Sequence, residues 1–445
     1  MPTIWTAQQL IRILLIRMND GVFKSSRPTE LLYYPLCIFA DMPQTLSKDF
    51  LIQCAQEFGT PLYVYHAERI KEQYQRLAQA FRKLDTRFFY ACKALTNINI
   101  LRYIKSIGCN VDCSSLNEVL LALKAGFLPG EILYTSSNIS FEEIEAAAGL
   151  EVNINIDSLS NLRKFGKKFG SSYPVSVRLR PNIMAGGNLK ISTGHETSKF
   201  GIPLEQIETI LDIVKTTGVW IRGLHIHTGS DIKDVDVFLK GVEVLFQVSS
   251  YFPQLEFLDL GGGFKVAYKP GDEETDIELL GEKVTEAVVQ FEAQTKKKWQ
   301  LWFEPGKFLV SEAGYFITQV NVIKETAAIT FAGVNSGLNH LIRPMFYGAY
   351  HTIENISNSN GTSKTYTVVG NICETDTFAT DRLLHEIHEG DYLMFLNAGA
   401  YCFEMASNYN SRYKPAEVLV KDGKAHLIRK RDVLDDLLKN QLEVL

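Results

Sequence analysis

Lys93 closes the apolar, aromatic run Phe88-Phe89-Tyr90-Ala91-Cys92, which reads as a β-strand. A lysine held at the mouth of a barrel can do covalent chemistry with a carbonyl compound. Further strand-like segments end in Asp112, in Arg180, in His225 and His227, in Gly261-Gly262-Gly263 and in Glu304. The backbone N–H groups of a triple glycine can approach an anion such as phosphate closely. Taken singly, each has a plainer reading. Lys93 is then a solvated lysine, the glycines a tight turn, His227 a hydrogen-bonded core residue, and Glu304 a turn cap before Pro305-Gly306. Their shared position after successive strands is what argues for a site.

A regular alternation must place these residues. Strand-like runs at 88–92, 110–113, 132–134, 152–156, 175–180, 221–226, 257–260 and 301–304 are separated by seven helical patterns. Repeated strand–helix units imply a parallel sheet, and eight of them predict a (β/α)8, TIM-like barrel. Barrel enzymes carry their sites at the carboxyl ends of the strands, where these residues fall. A doubly wound open sheet is the alternative, although no Gly-x-Gly-x-x-Gly turn follows a first strand. From about Glu312 the helical period gives way to short strands at 315–322, 366–369, 392–395, 417–420 and 426–429, with a short helix at 433–440. The expected organisation is an N-terminal extension over 1–46, helical or disordered, then a barrel over 47–310 and a β-rich C-terminal domain over 311–445. The strand near 62–65 is a candidate member of that β domain.

Composition narrows the function classes. The chain has 445 residues, 46% hydrophobic and 22% charged, with a net charge of -5. That is an ordinary globular composition, without the basic field that nucleic acid or an anionic membrane would need. Residues Ile4 to Met18 are apolar but interrupted by Arg12 and Arg17, so neither a membrane span nor a signal peptide is expected. Seven cysteines do not suggest a disulfide framework, and Cys109 with Cys113 lacks the second pair of a zinc site. A reducing, cytoplasmic setting and no metal are expected.

The motifs become specific as an ordered set. Lys93 is followed by His225-Ile226-His227-Thr228-Gly229-Ser230, Gly261-Gly262-Gly263-Phe264 and Glu304-Pro305-Gly306. Then come Arg343-Pro344-Met345-Phe346-Tyr347-Gly348, Cys373-Glu374-Thr375, Ala398-Gly399-Ala400-Tyr401 and Met405 to Arg412. In this order they resemble the pyridoxal 5'-phosphate (PLP)-dependent decarboxylases of the alanine-racemase-like fold, and within them the diaminopimelate decarboxylases. The resemblance covers roughly Leu51 to Asn440.

The resemblance implies roles. Lys93 would hold PLP as a Schiff base, its pKa lowered by the barrel mouth. His227 would stack on the pyridine ring; Ser230, Gly261 to Gly263 and Tyr401 would hold the phosphate. Glu304 would pair with the pyridine nitrogen, favouring the pyridinium that accepts electrons from a carbanion. Pro305, Gly306 and Lys307 would continue the cofactor wall, and Asp112 and Arg180 would flank the ring. Lys307, Arg343, Tyr347, Glu374 and Tyr401 would bind the substrate. Cys373 would protonate the carbanion, arriving from the partner subunit of a homodimer with shared active sites.

Two departures stand out. The family commonly carries arginine where this chain has Lys307, which keeps the charge and loses the planar fork. The aspartate of its Cys-Glu-Ser-Gly-Asp motif comes one place early, as Asp376. The activity implied is decarboxylation of meso-2,6-diaminopimelate to L-lysine and CO2. The alternatives are decarboxylation of another basic amino acid or carboxylated polyamine, an amino-acid racemase, which Glu304 and Cys373 oppose, and a non-catalytic PLP-binding protein.

Overall fold

A computed structural model describes residues 45–183 and 194–445. The expected extension over 1–46 therefore falls almost wholly outside the described residues. So does the middle of the Gly- and Ser-rich insert after residue 180.

The described chain opens with the helix Lys48–Phe58 and strand β1 (Leu62–His66). Next come β2 (Asp85–Ala91), β3 (Asn110–Cys113), β4 (Ile132–Thr135), β5 (Asn153–Ile156) and β6 (Val175–Arg180). A two-residue strand β7 (Ile202–Pro203) precedes β8 (Ile221–Ile226), β9 (Phe257–Asp259) and β10 (Gln300–Phe303). Strands β2 to β6 and β8 to β10 pair in parallel, and the β5–β6 pairing closes them into an eight-stranded barrel. The helices between them start where side chains satisfy their first N–H groups. Ser115, Ser140, Ser158 and Asp276 each accept such a bond.

The barrel interior is layered. Phe89, Leu133, Phe257 and Trp302 form a buried apolar plug, with the Phe257 and Trp302 rings stacked 3.5 Å apart. Gly223 has no side chain because a Cβ there would run into the Phe257 ring. Two residues further along the strands, the inward positions turn polar. Asp112, Thr135, Asn155, Arg178, His225, Asp259 and Glu304 are all buried there.

The second sheet is formed by β1 with β11 (Gly314–Glu325), β12 (Thr330–Val334), β13 (Ile353–Asn355), β14 (Ser363–Val369), β15 (Thr377–His385), β16 (Tyr392–Phe395), β17 (Ala416–Lys421) and β18 (Lys424–Arg429). Strand β1 lies between β11, antiparallel, and β17, parallel. The helix Lys48–Phe58 packs Leu51, Cys54 and Ala55 on the same sheet. The helix at 48–58, expected with the barrel, thus packs with the C-terminal strands, as does the strand near 62–65, the candidate member of that β domain. Among the described residues no helix is long and apolar enough to cross a membrane.

Candidate active site

Lys93 sits in a single 3-10 turn, Cys92–Ala94, directly after β2. The turn is held from several sides. Ala91 N–H donates to the Pro305 carbonyl at 3.0 Å, and Tyr401 N–H donates to the Ala94 carbonyl at 2.9 Å. Thr96 N–H donates to Glu404 at 2.7 Å, and the Asn97 amide donates to Glu417 at 3.2 Å. The lysine side chain opens into a cavity of about 430 Å³ shared with His227, Ser230, Lys307, Arg343, Tyr347 and Tyr401.

Glu304 follows β10, where its N–H donates to the Gly261 carbonyl at 2.7 Å. One carboxylate oxygen accepts from Thr135 at 3.3 Å, and Thr135 in turn accepts from Asn155 at 2.9 Å. The other oxygen lies 3.4 Å from His225 Nε2. Ligand atoms of His225, Asp259 and Glu304 fall within 4.8 Å of one another.

These groups drive one another's protonation apart. Burial pushes the Glu304 carboxyl up, but His225, His227 and Lys93 outweigh it and hold Glu304 below the usual carboxylate range. Burial and then the Glu304 charge push Asp112 and Asp259 well above that range. Burial pushes His225 down, and it pushes His227 down to about 3. The cluster thus pushes Glu304 toward its ionised form, and Asp112, Asp259 and both imidazoles toward their neutral forms. Lys93 differs from the sequence expectation. Burial presses its pKa down, yet Asp112, Tyr401 and Glu304 more than offset this, so it is raised rather than lowered.

The triple glycine owes its composition to backbone packing. Gly261 has φ +67°, and a Cβ on it would stand 2.6 Å from the Ile226 carbonyl. A Cβ on Gly262 would strike the Glu304 carbonyl, and one on Gly263 the Gly229 carbonyl. The Gly261 and Gly262 amides are already engaged, with Asp259 at 2.9 Å and His227 Nδ1 at 3.3 Å. The turn therefore fixes His227 and Glu304 relative to each other, besides any contact with an anion.

Arg180 does not line the cavity. Its guanidinium donates to the Ser198 carbonyl at 3.0 Å. Arg178, two residues earlier on the same strand face, pairs in register with His225 and does line the cavity. Its guanidinium packs 4.8 Å from the Phe200 ring centre. Sequence reasoning also passed over Asp259, Asp231 and Tyr268. An acid inside the apolar run Phe257-Leu258-Asp259-Leu260 was a readable signal; Asp231 and Tyr268 lie in loops without one.

Arg343 is 6% exposed, donates to the Ala400 carbonyl at 3.0 Å and has a buried Nε without a hydrogen-bond partner. Lys307 Nζ donates to Asp231 at 2.7 Å. Both cations approach the Tyr268 ring, at 5.1 and 5.8 Å from its centre. Cys373 and Glu374 lie elsewhere, exposed and outside this cavity. They are nonetheless organised. The Asn410 amide donates to Cys373 Sγ at 3.1 Å, and the Tyr409 hydroxyl donates to Glu374 at 2.7 Å.

Buried, unpartnered oxygens on Asp112 and a buried, ionised Glu304 suit a flat, cationic heteroaromatic ring. A lysine amine beside them suits its carbonyl group. The set fits pyridoxal phosphate.

Comparison with known proteins agrees with this chemistry. Residues 67–311 match the family described as pyridoxal-dependent decarboxylase, pyridoxal binding domain. A diaminopimelate decarboxylase of Methanothermobacter thermautotrophicus is 40% identical, over 88% of this chain and 93% of the relative. One from Aquifex aeolicus is 33% identical over 93% of this chain and 99% of its own. The crystal structure of the Helicobacter pylori enzyme in complex with L-lysine matches with a TM-score of 0.80 and 31% identity, covering 87% of this chain and 98% of that one. The chain belongs to the diaminopimelate decarboxylase family of pyridoxal-dependent decarboxylases.

Proposed function

We propose that the protein decarboxylates meso-2,6-diaminopimelate to L-lysine and CO2 with pyridoxal phosphate held on Lys93. One observation carries the reading: Lys93, backed by the ionised Glu304, shares one cavity with two cations, Lys307 and Arg343. Bound pyridoxal phosphate supplies an electron sink for the pair left behind when CO2 departs. The chain's own residues do the rest. Lys93 would hold the cofactor through its carbonyl group. Glu304 would favour a proton on the ring nitrogen, and neutral His227 would border the ring without adding charge. Ser230 and Tyr401 would hold the phosphate. Arg343, Lys307 and Tyr347 receive the carboxylate at the far end of the substrate.

We further infer a homodimer in which Cys373 and Glu374 of a second copy complete each site. Cys373 then hands a proton to the carbon that lost CO2, and Glu374 takes the distal ammonium. Their exposed, preorganised loop supports this arrangement, because a single chain keeps them away from Lys93. A free, exposed Cys373 thiol calls for a reducing compartment, which supports a cytoplasmic setting.

The test is CO2 release from meso-diaminopimelate, lysine, ornithine and arginine side by side. Release is expected from meso-diaminopimelate alone. Faster release from a substrate lacking the distal carboxylate would overturn the assignment of Arg343 and Lys307.

A further inference from the structure

We infer that Asp231 is a positioning residue that aims the Lys307 ammonium at the distal carboxylate of the substrate, an inference that rests on the decarboxylase reading above. Lys307 is 7% exposed, and its Nζ donates to Asp231 Oδ1 at 2.7 Å. A lysine ammonium has three donors on a flexible four-carbon stem, whereas an arginine presents a rigid fork. Asp231 takes one of the three and so orients the other two toward the cavity that both residues line.

Asp231 is itself well fixed. Its backbone stands at φ +61°, in the left-handed region that Asp tolerates better than most residues. The next residue, Ile232, donates its N–H to the Gly263 carbonyl at 2.9 Å and bridges to Phe264. Its own carbonyl accepts from Thr275 at 2.5 Å. The loop carrying Asp231 is thus tied to the glycine turn that sets Glu304, so cofactor face and substrate wall share one frame.

The charges on that wall are also balanced. Lys307 and Arg343 flank the Tyr268 ring, and the Asp231 charge reaches Arg343 as well. Two cations and one carboxylate leave a single net positive charge, which matches one carboxylate of the substrate. Asp231 therefore makes a lysine serve where a flexible side chain alone would waver.

The test compares wild-type holoenzyme with Asp231→Ala and Asp231→Asn. Steady-state turnover of meso-diaminopimelate gives KM and kcat, and calorimetry gives the affinity for pimelate, which carries the two carboxylates without the amines. Asp231→Ala should raise KM and weaken pimelate by about tenfold, with a smaller fall in kcat. Asp231→Asn, whose amide oxygen still accepts from Lys307, should recover most of that loss. In a Lys307→Gln background, removing Asp231 should have little further effect, since the two act as one unit. Tighter pimelate binding in Asp231→Ala would show that Asp231 competes for Lys307 and would overturn the proposal. An undiminished effect in the Lys307→Gln background would overturn it too. If the wild type does not turn over meso-diaminopimelate, the functional reading fails, and pimelate binding still decides the role of Asp231.

Discussion

Lys93 and Glu304 form an opposed pair at the floor of the site: an amine whose pKa is raised, and a carboxyl held below its usual range. The raised lysine has a kinetic consequence. Only the free amine attacks a carbonyl, and well below the pKa its fraction grows about tenfold per pH unit. The rate at which cofactor-free protein takes up pyridoxal phosphate should therefore climb steeply between about pH 7 and about pH 9, followed by the visible absorbance of the lysine-linked cofactor. A flat profile would mean that Lys93 is already deprotonated at neutral pH. Lys93, His227 and Glu304 were legible in the sequence because each ends a recognisable strand within a known ordered set. Arg178 was not. The run Val175 to Arg180 puts Arg178 and Arg180 on one strand face, and only the barrel's register shows which of them stands level with His225.

The elements around Lys93 belong to both sheets. The turn Cys92–Ala94 ends β2 of the barrel, yet Tyr401, Glu404 and Glu417 grip it and the residues just after it from the C-terminal part of the chain. Glu417 also accepts from the Tyr65 hydroxyl at 2.9 Å. It is 1% exposed, and burial pushes its carboxyl up to about 7. An acid that holds its proton more tightly when folded costs nothing at low pH, where both states are protonated. Its cost grows as pH rises from about 4.5, where the unfolded chain ionises, to about 7, reaching about 3 kcal/mol. Glu417→Gln removes that titration. The variant's melting temperature relative to wild type should rise as pH goes from about 5 to about 8; a difference independent of pH would show that Glu417 does not titrate there. The eight parallel strands were readable because buried apolar runs alternate with capped helices. Strands β12, β13 and β15 escaped notice because they are short or half-exposed, with mixed faces that carry no clean period.

At the scale of the molecule, Lys93, His227, Ser230, Lys307, Arg343, Tyr347 and Tyr401 line one cavity, and Cys373 and Glu374 lie outside it. If a second copy supplies them, two inactive variants should rescue each other. Lys93→Ala and Cys373→Ala are each expected to lose nearly all turnover, while Cys373→Ala keeps the cofactor. Mixed subunits carrying one lesion each contain one intact site of the two. A one-to-one mixture that exchanges subunits should recover about a quarter of wild-type activity. No recovery, with exchange verified by mass, would place Cys373 in its own chain's site or outside the reaction. Only the family resemblance implied such a division, because residues of one site drawn from two chains leave no mark on their spacing.

Strand β1 has a consequence in time. Its residues Leu62 to His66 are all buried, between β11, which begins at Gly314, and β17, which begins at Ala416. A ribosome making about 5–20 residues per second delivers the first of those neighbours roughly ten to fifty seconds after β1 itself has emerged. Throughout that interval an apolar strand with both edges unpaired hangs beside a barrel that is still being threaded. The nascent chain is therefore exposed to sticking to other chains at its N-terminal end, and a chaperone would find Leu62 to His66 there to hold. Synthesis through Glu417, rather than completion of the barrel, sets the moment at which the turn carrying Lys93 gains the grip of Tyr401, Glu404 and Glu417.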